Sequence, residues 1–94
     1  MKFEFDRAKS ETNRVKHGIS LEEAARIWES AHVEVRARTV DELRFMAIGT
    51  IEAKLYACIY TIRGEAIRLI SCRRARGKEV KLYHAYFKET LSES

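Results

Sequence analysis

Ninety-four residues, 46 % hydrophobic and 34 % charged, describe one folded domain over 1–94 and exclude a disordered chain. No apolar run approaches the roughly 18 residues of a membrane span, and Met1-Lys2-Phe3-Glu4-Phe5-Asp6 lacks the apolar core of a signal peptide, so a cytoplasmic protein is expected. The net charge of +4 favours an anionic partner.

Phe3-Glu4-Phe5 alternates apolar and polar and predicts a short strand. Asp6 then caps a helix that runs to about His17, where Gly18 supplies a left-handed stop. Lys9, Asn13, Lys16 and His17 fall on one polar face of it, beside a thin stripe of Ala8, Thr12 and Val15, so this helix should lie partly exposed. Ser20 and Glu23 form a capping box for a second helix, with Ile19 able to staple onto Ala24. Leu21, Ala24, Ala25 and Trp28 share its buried face, and it should end near Ser30.

Four strand-like runs follow. Val33 to Arg38 alternates, so Val33, Val35 and Ala37 face inward and Arg36 and Arg38 outward. After a turn over Thr39 to Glu42 come Leu43 to Thr50 and then Lys54 to Ile62. A tight turn at Arg63-Gly64-Glu65 leads into Ala66 to Arg74. Short connections imply an antiparallel meander. The last segment, from Ala75 or Gly77, is a helix with Val80, Tyr83, Phe87 and Leu91 on its apolar face and a frayed tail at Ser92-Glu93-Ser94. The expected order is β-α-α-β-β-β-β-α, an α+β domain with a four-stranded antiparallel sheet.

Cys58 and Cys72 lie in apolar strands without metal spacing, and two buried, reduced thiols are expected. There is no nucleotide-binding glycine loop and no G-x-S-x-G turn; no metal or cofactor is expected. What remains is arginine on strands, a residue that holds two phosphate oxygens at once. The two-residue period places Ile67, Leu69, Ser71 and Arg73 on one side of the last strand and Arg68, Ile70, Cys72 and Arg74 on the other. Arg73 and Arg74 should therefore diverge.

Phe3-x-Phe5-Asp6-x-x-Lys9-x-x-x-Asn13-x-x-Lys16-His17-Gly18-Ile19-Ser20 resembles the N-terminal signature of the BrnT toxins. Glu42-x-Arg44 with Ile48-Gly49 resembles their middle motif. Thr61-x-Arg63-Gly64 and Ile67-Arg68-x-Ile70-Ser71-x-Arg73-Arg74-Ala75, with Glu79 and Tyr83, resemble the C-terminal one. Phe5 stands where tryptophan is common, Leu21 where phenylalanine is, and Cys72 where alanine is.

The resemblance implies a RelE-like fold, a ribonuclease that halts translation, and a cognate DNA-binding antitoxin of the BrnA kind in a hetero-oligomer. RNA cleavage without a metal needs a base for the 2′-hydroxyl, cations for the phosphorane and an acid for the leaving 5′-oxygen. The candidate catalytic residues are Arg73, Arg74, Arg44, His17 and Lys16; Arg68, Asn13, Lys9 and Phe5 are candidates for holding RNA. His17 has two readings, helix-end complement and proton carrier. Arg36 and Arg38 read as a solvated face or an antitoxin contact. Trp28, Tyr56 and Tyr60 read as packing, with base stacking open to the two tyrosines. One arginine of the pair is expected to join Arg44 and the Lys16-His17 corner, while the other anchors the last helix through Glu79 or meets the antitoxin. The alternative function is a non-catalytic RNA- or protein-binding module on the same fold. A DNA regulator ranks below both, because no helix-turn-helix or ribbon motif is visible.

Overall fold

A computed structural model of the chain describes residues 1–37 and 42–92, the side chains of 89–92 excepted. The expectations for Arg38, for most of the turn over 39–42, for the Leu91 side chain and for the tail at 93–94 lie outside the described residues. The elements are β1 (Lys2–Glu4), α1 (Arg7–His17), α2 (Leu21–Ala24), a 3-10 helix (Ala25–Glu29), β2 (His32–Arg36), β3 (Phe45–Ile51), β4 (Lys54–Arg63), β5 (Ala66–Arg74) and α3 (Gly77–Ser92).

The α+β class is as expected, but the sheet has five strands and is mixed, in the order β1-β5-β4-β3-β2. β2 to β5 form the antiparallel meander. β1, expected to stand apart, pairs parallel with β5 through Lys2 to Ala66, Phe3 to Ile67 and Glu4 to Arg68. The crossover from β1 through the helices makes that parallel pairing possible.

One face of the sheet buries Leu69, Cys72, Cys58, Tyr60 and Ala47 under Ile19, Leu21, Ala24 and Ile27 of the α1–α2 side. The other face is covered over β2 and β3 by α3. Asp6 caps α1 by accepting from Lys9 N at 3.0 Å, and Gly18, at φ 77°, closes it by donating to Arg14 O at 2.8 Å. Ser20 and Glu23 form the expected capping box.

The second helix departs from expectation: only Leu21–Ala24 is α-helical, and the chain tightens to a 3-10 helix over Ala25–Glu29. Leu21, Ala24 and Ile27 are all fully buried, and a three-residue spacing matches the three residues per turn of the tighter helix. Ile27 and His32 sit over Gly49, where an added Cβ would meet each of them at 2.9 Å.

Burial on α1 also differs from expectation. Val15, expected on its apolar stripe, is 73 % exposed, and the buried residues are Ser10 and Asn13. Polar bonds fasten this helix: Ser10 Oγ accepts from Leu21 N at 2.9 Å.

Candidate active site

The positions of the basic side chains follow from one irregularity in β5. Tyr60 pairs with Leu69 but Ile59 pairs with Ser71, so Ile70 is the extra residue of a bulge. Directly paired residues share a face. Leu69 and Cys72 therefore lie with Tyr60 and Cys58 on the α1 side, and Arg74 lies there with Tyr56. Arg68, opposite Thr61, and Arg73, opposite Ala57, lie on the other side. Arg73 and Arg74 diverge as expected. The grouping of Arg68 with Arg74 is overturned, because the bulge resets the alternation.

Arg73 is spent on the fold. Its two terminal nitrogens donate to the two carboxylate oxygens of Glu79 at 2.7 and 2.9 Å, and one also reaches Arg74 O at 3.2 Å. These side chains are 24 % and 15 % exposed. Glu79 also accepts from Arg76 N at 2.7 Å, the acidic half of a capping box at the start of α3. The Arg73 hydrogen bonds hold the Glu79 carboxyl below its ordinary range and raise the guanidinium in turn.

Arg74 is exposed, and its guanidinium lies 5.7 Å from the centroid of the half-buried Tyr56 ring. Among the described residues it makes no ion pair. The course of α1 bears on where Lys16 and His17 stand relative to it. Asp6, at the start of α1, is held low chiefly by the Lys9 N–H, with the charges of Lys9 and Arg68 adding to it. Further along, Asn13 bonds both the N–H and the carbonyl of Cys72. The helix thus runs along β5 in the strand's own direction. One further turn of helix advances about 5.4 Å to Lys16 and His17, and two strand residues advance about 6.8 Å from Cys72 to Arg74. Lys16 and His17 thus follow Asn13 toward the end of β5 that carries Arg74.

The other candidates do not join them. Arg44 precedes β3 at the level of Thr61 and Arg68, five residues from the Gly49 level that faces Tyr56 and Arg74, or roughly 17 Å along the strand. It pairs with Glu42 at 3.2 Å. Arg68 pairs with Glu4 at 3.6 Å on the far face. Asn13, expected to hold RNA, is only 7 % exposed, and its carboxamide is committed to backbone. Phe5 packs against the core and also borders a groove of about 440 Å³ beside Arg7 and Arg14. Lys9 is exposed two turns before Lys16 on the same helix face. Tyr60 is 3 % exposed, so it does not stack on bases.

One constellation had no sequence signal. Tyr60 donates to Glu34 Oε1 at 2.8 Å, Trp28 Nε1 donates to the same oxygen at 3.1 Å, and His32 Nε2 lies 3.5 Å away. Burial, with Glu34 as acceptor, pushes the Tyr60 phenol well up, so it stays a donor. Cys58 and Cys72 are free and buried as expected; the Cys72 thiol and burial raise Cys58 well above its ordinary value, away from thiolate chemistry. Among the described residues, no three His, Cys, Asp or Glu side chains group as a metal site, and no helix is long and apolar enough to cross a membrane.

A search of curated proteins finds no match to the chain. A family model does match, over residues 5–79: the ribonuclease toxin, BrnT, of type II toxin-antitoxin systems. That span includes α1, the whole sheet from β2 to β5 and the Arg73–Glu79 pair, and the chain belongs to this family of ribonuclease toxins.

Proposed function

We propose that the chain is an endoribonuclease toxin that cleaves RNA without a metal ion at the Arg74, Lys16 and His17 end of β5. The observation that supports the reading is the pair of hydrogen bonds by which Asn13, one turn before Lys16 and His17, holds α1 to Cys72, two residues before Arg74. The 2′-oxygen attacks the adjacent phosphorus and gives its proton to a base, the role this reading assigns to His17. Arg74 and Lys16 stabilise the added negative charge of the phosphorane, and the P–O5′ bond breaks as the leaving oxygen is protonated. The products are a 2′,3′-cyclic phosphate and a 5′-hydroxyl. Positioned cations in such a site contribute on the order of 10²–10³-fold each, and a placed proton carrier on the order of 10²–10⁴-fold. Lys9 extends the basic strip along α1 for a flanking phosphate. Cleaved cellular RNA accounts for a halt in translation. The family pairs such toxins with an antitoxin, and a BrnA-like, DNA-binding partner in a hetero-oligomer is the corresponding proposal here.

The test is incubation of the purified chain with RNA in excess chelator. Fragments with 2′,3′-cyclic phosphate ends are expected at an unchanged rate. RNA that is bound but intact at high protein concentration would assign the non-catalytic module instead, and chelator-sensitive cleavage would refute the metal-free step.

A further inference from the structure

Asn13 is the last buried residue of α1, one turn before Lys16 and His17. Its Nδ2 donates to Ile19 O at 2.7 Å and to Cys72 O at 2.8 Å, and its Oδ1 accepts from Cys72 N at 3.1 Å. The two bonds to Cys72 are the exchange that a neighbouring strand would make. β1 pairs with β5 only from Ala66 to Arg68, so beyond that point the carboxamide stands in for a strand at one residue, two before Arg74. The third bond closes the segment from Asn13 to Ile19 on itself. Lys16 and His17 thus lie in a short loop of chain whose two ends are tied to each other, and one of them to the strand that carries Arg74.

We infer that Asn13 is the positioning residue of this site: its carboxamide sets where Lys16 and His17 stand relative to Arg74. A cation must lie within a few tenths of an ångström of its productive place to stabilise a phosphorane, and loss of that placement lowers the rate more than it lowers RNA affinity. The inference rests on the ribonuclease reading above. Asn13→Gln keeps the amide chemistry and moves it by one methylene. The expected outcome is at least a 10-fold fall in cleavage at saturating RNA, with the RNA dissociation constant changed less than about 3-fold.

A double-mutant cycle separates positioning from general loosening. In a background of Lys16→Ala with His17→Ala, adding Asn13→Gln should slow cleavage by less than about 2-fold. If the two effects multiply instead, or if Asn13→Gln cleaves like the wild type, the inference is overturned. Asn13→Asp, which keeps the side-chain volume, carries the same comparison if the glutamine variant does not fold. Should the wild-type chain leave RNA intact, the ribonuclease reading falls by itself. The placement is then read by NMR: Asn13→Gln should shift the His17 ring and the Lys16 amide while β2 and β3 resonances stay fixed, and an unmoved His17 ring overturns it.

Discussion

Arg73 and Arg74 carry the same side chain on adjacent residues, and the strand pleat sends them to opposite layers. On the α3 side, Arg73 meets a carboxylate held in place by a helix start, and its charge is neutralised within the fold. Arg44 and Arg68 also find acidic partners, through Glu42 and Glu4. On the α1 side, Arg74 rests over Tyr56 and, among the described residues, makes no ion pair. Net positive charge alone does not mark a phosphate site. An arginine that the fold leaves without an acid differs from the paired ones in one respect: it can offer an incoming anion a gain in both charge and hydrogen bonds.

Exchanging each arginine for alanine tests the comparison at its widest. Arg74→Ala should lower cleavage on the order of 10²–10³-fold while stability, read by thermal or urea unfolding, changes by no more than about 0.5 kcal/mol. Arg73→Ala should do the opposite. It strands a mostly buried Glu79 carboxylate and the first turn of α3, so about 1–3 kcal/mol of stability should be lost, with cleavage per folded molecule falling less than about 10-fold. The reverse pattern, an inactive but stable Arg73→Ala variant, would move the site to the α3 side.

Acid sharpens the same contrast. The folded chain holds Glu79 below its ordinary value of 4.5, mainly through Arg73. A group with a depressed folded pKa binds its proton more readily when unfolded. Its contribution is therefore complete above pH 4.5 and is lost as the pH falls through the lower, folded value. The melting temperature of the wild type should fall more steeply below pH 4.5 than that of Glu79→Gln, since the other carboxylates titrate in both. Parallel slopes would mean that the pair adds nothing to the fold.

Much of this was legible in the residues. Asp6, Gly18, Ser20 and Gly64 are local signals, each fixed by its own backbone geometry, and the caps and turn they predict stand where expected. Two features were not local. The bulge at Ile70 depends on how β5 meets β4; its trace in the sequence is the doubled apolar pair Leu69-Ile70, which strict alternation does not allow for. The burial of Asn13 depends on β1 ending early and leaving β5 beyond Arg68 without a strand on that side, a tertiary fact that helical periodicity reads as a solvent-facing amide. The pairing of Arg73 with Glu79 lay between these cases, since a six-residue span across a strand end and a helix start can be read as a junction.

The smallest expected effect lies in the β3–β4 hairpin, whose strand ends flank the Arg74 end of the sheet. Glu52 and Ala53 form its two-residue turn at φ 51° and 66°, both left-handed and neither glycine. Such a turn favours Asn-Gly, and each unsuited residue costs roughly 1 kcal/mol. Replacing the pair by Glu52→Asn with Ala53→Gly also removes the Arg26–Glu52 ion pair, but those side chains are 45 % and 76 % exposed, so little is lost with it. A net gain of about 0.5–1 kcal/mol in urea unfolding is expected, with cleavage unchanged. A stabilised variant that cleaves more slowly would show that the strained turn holds Tyr56, and through it Arg74, in a working position. The open side of β5 would then draw on the hairpin as well as on α1.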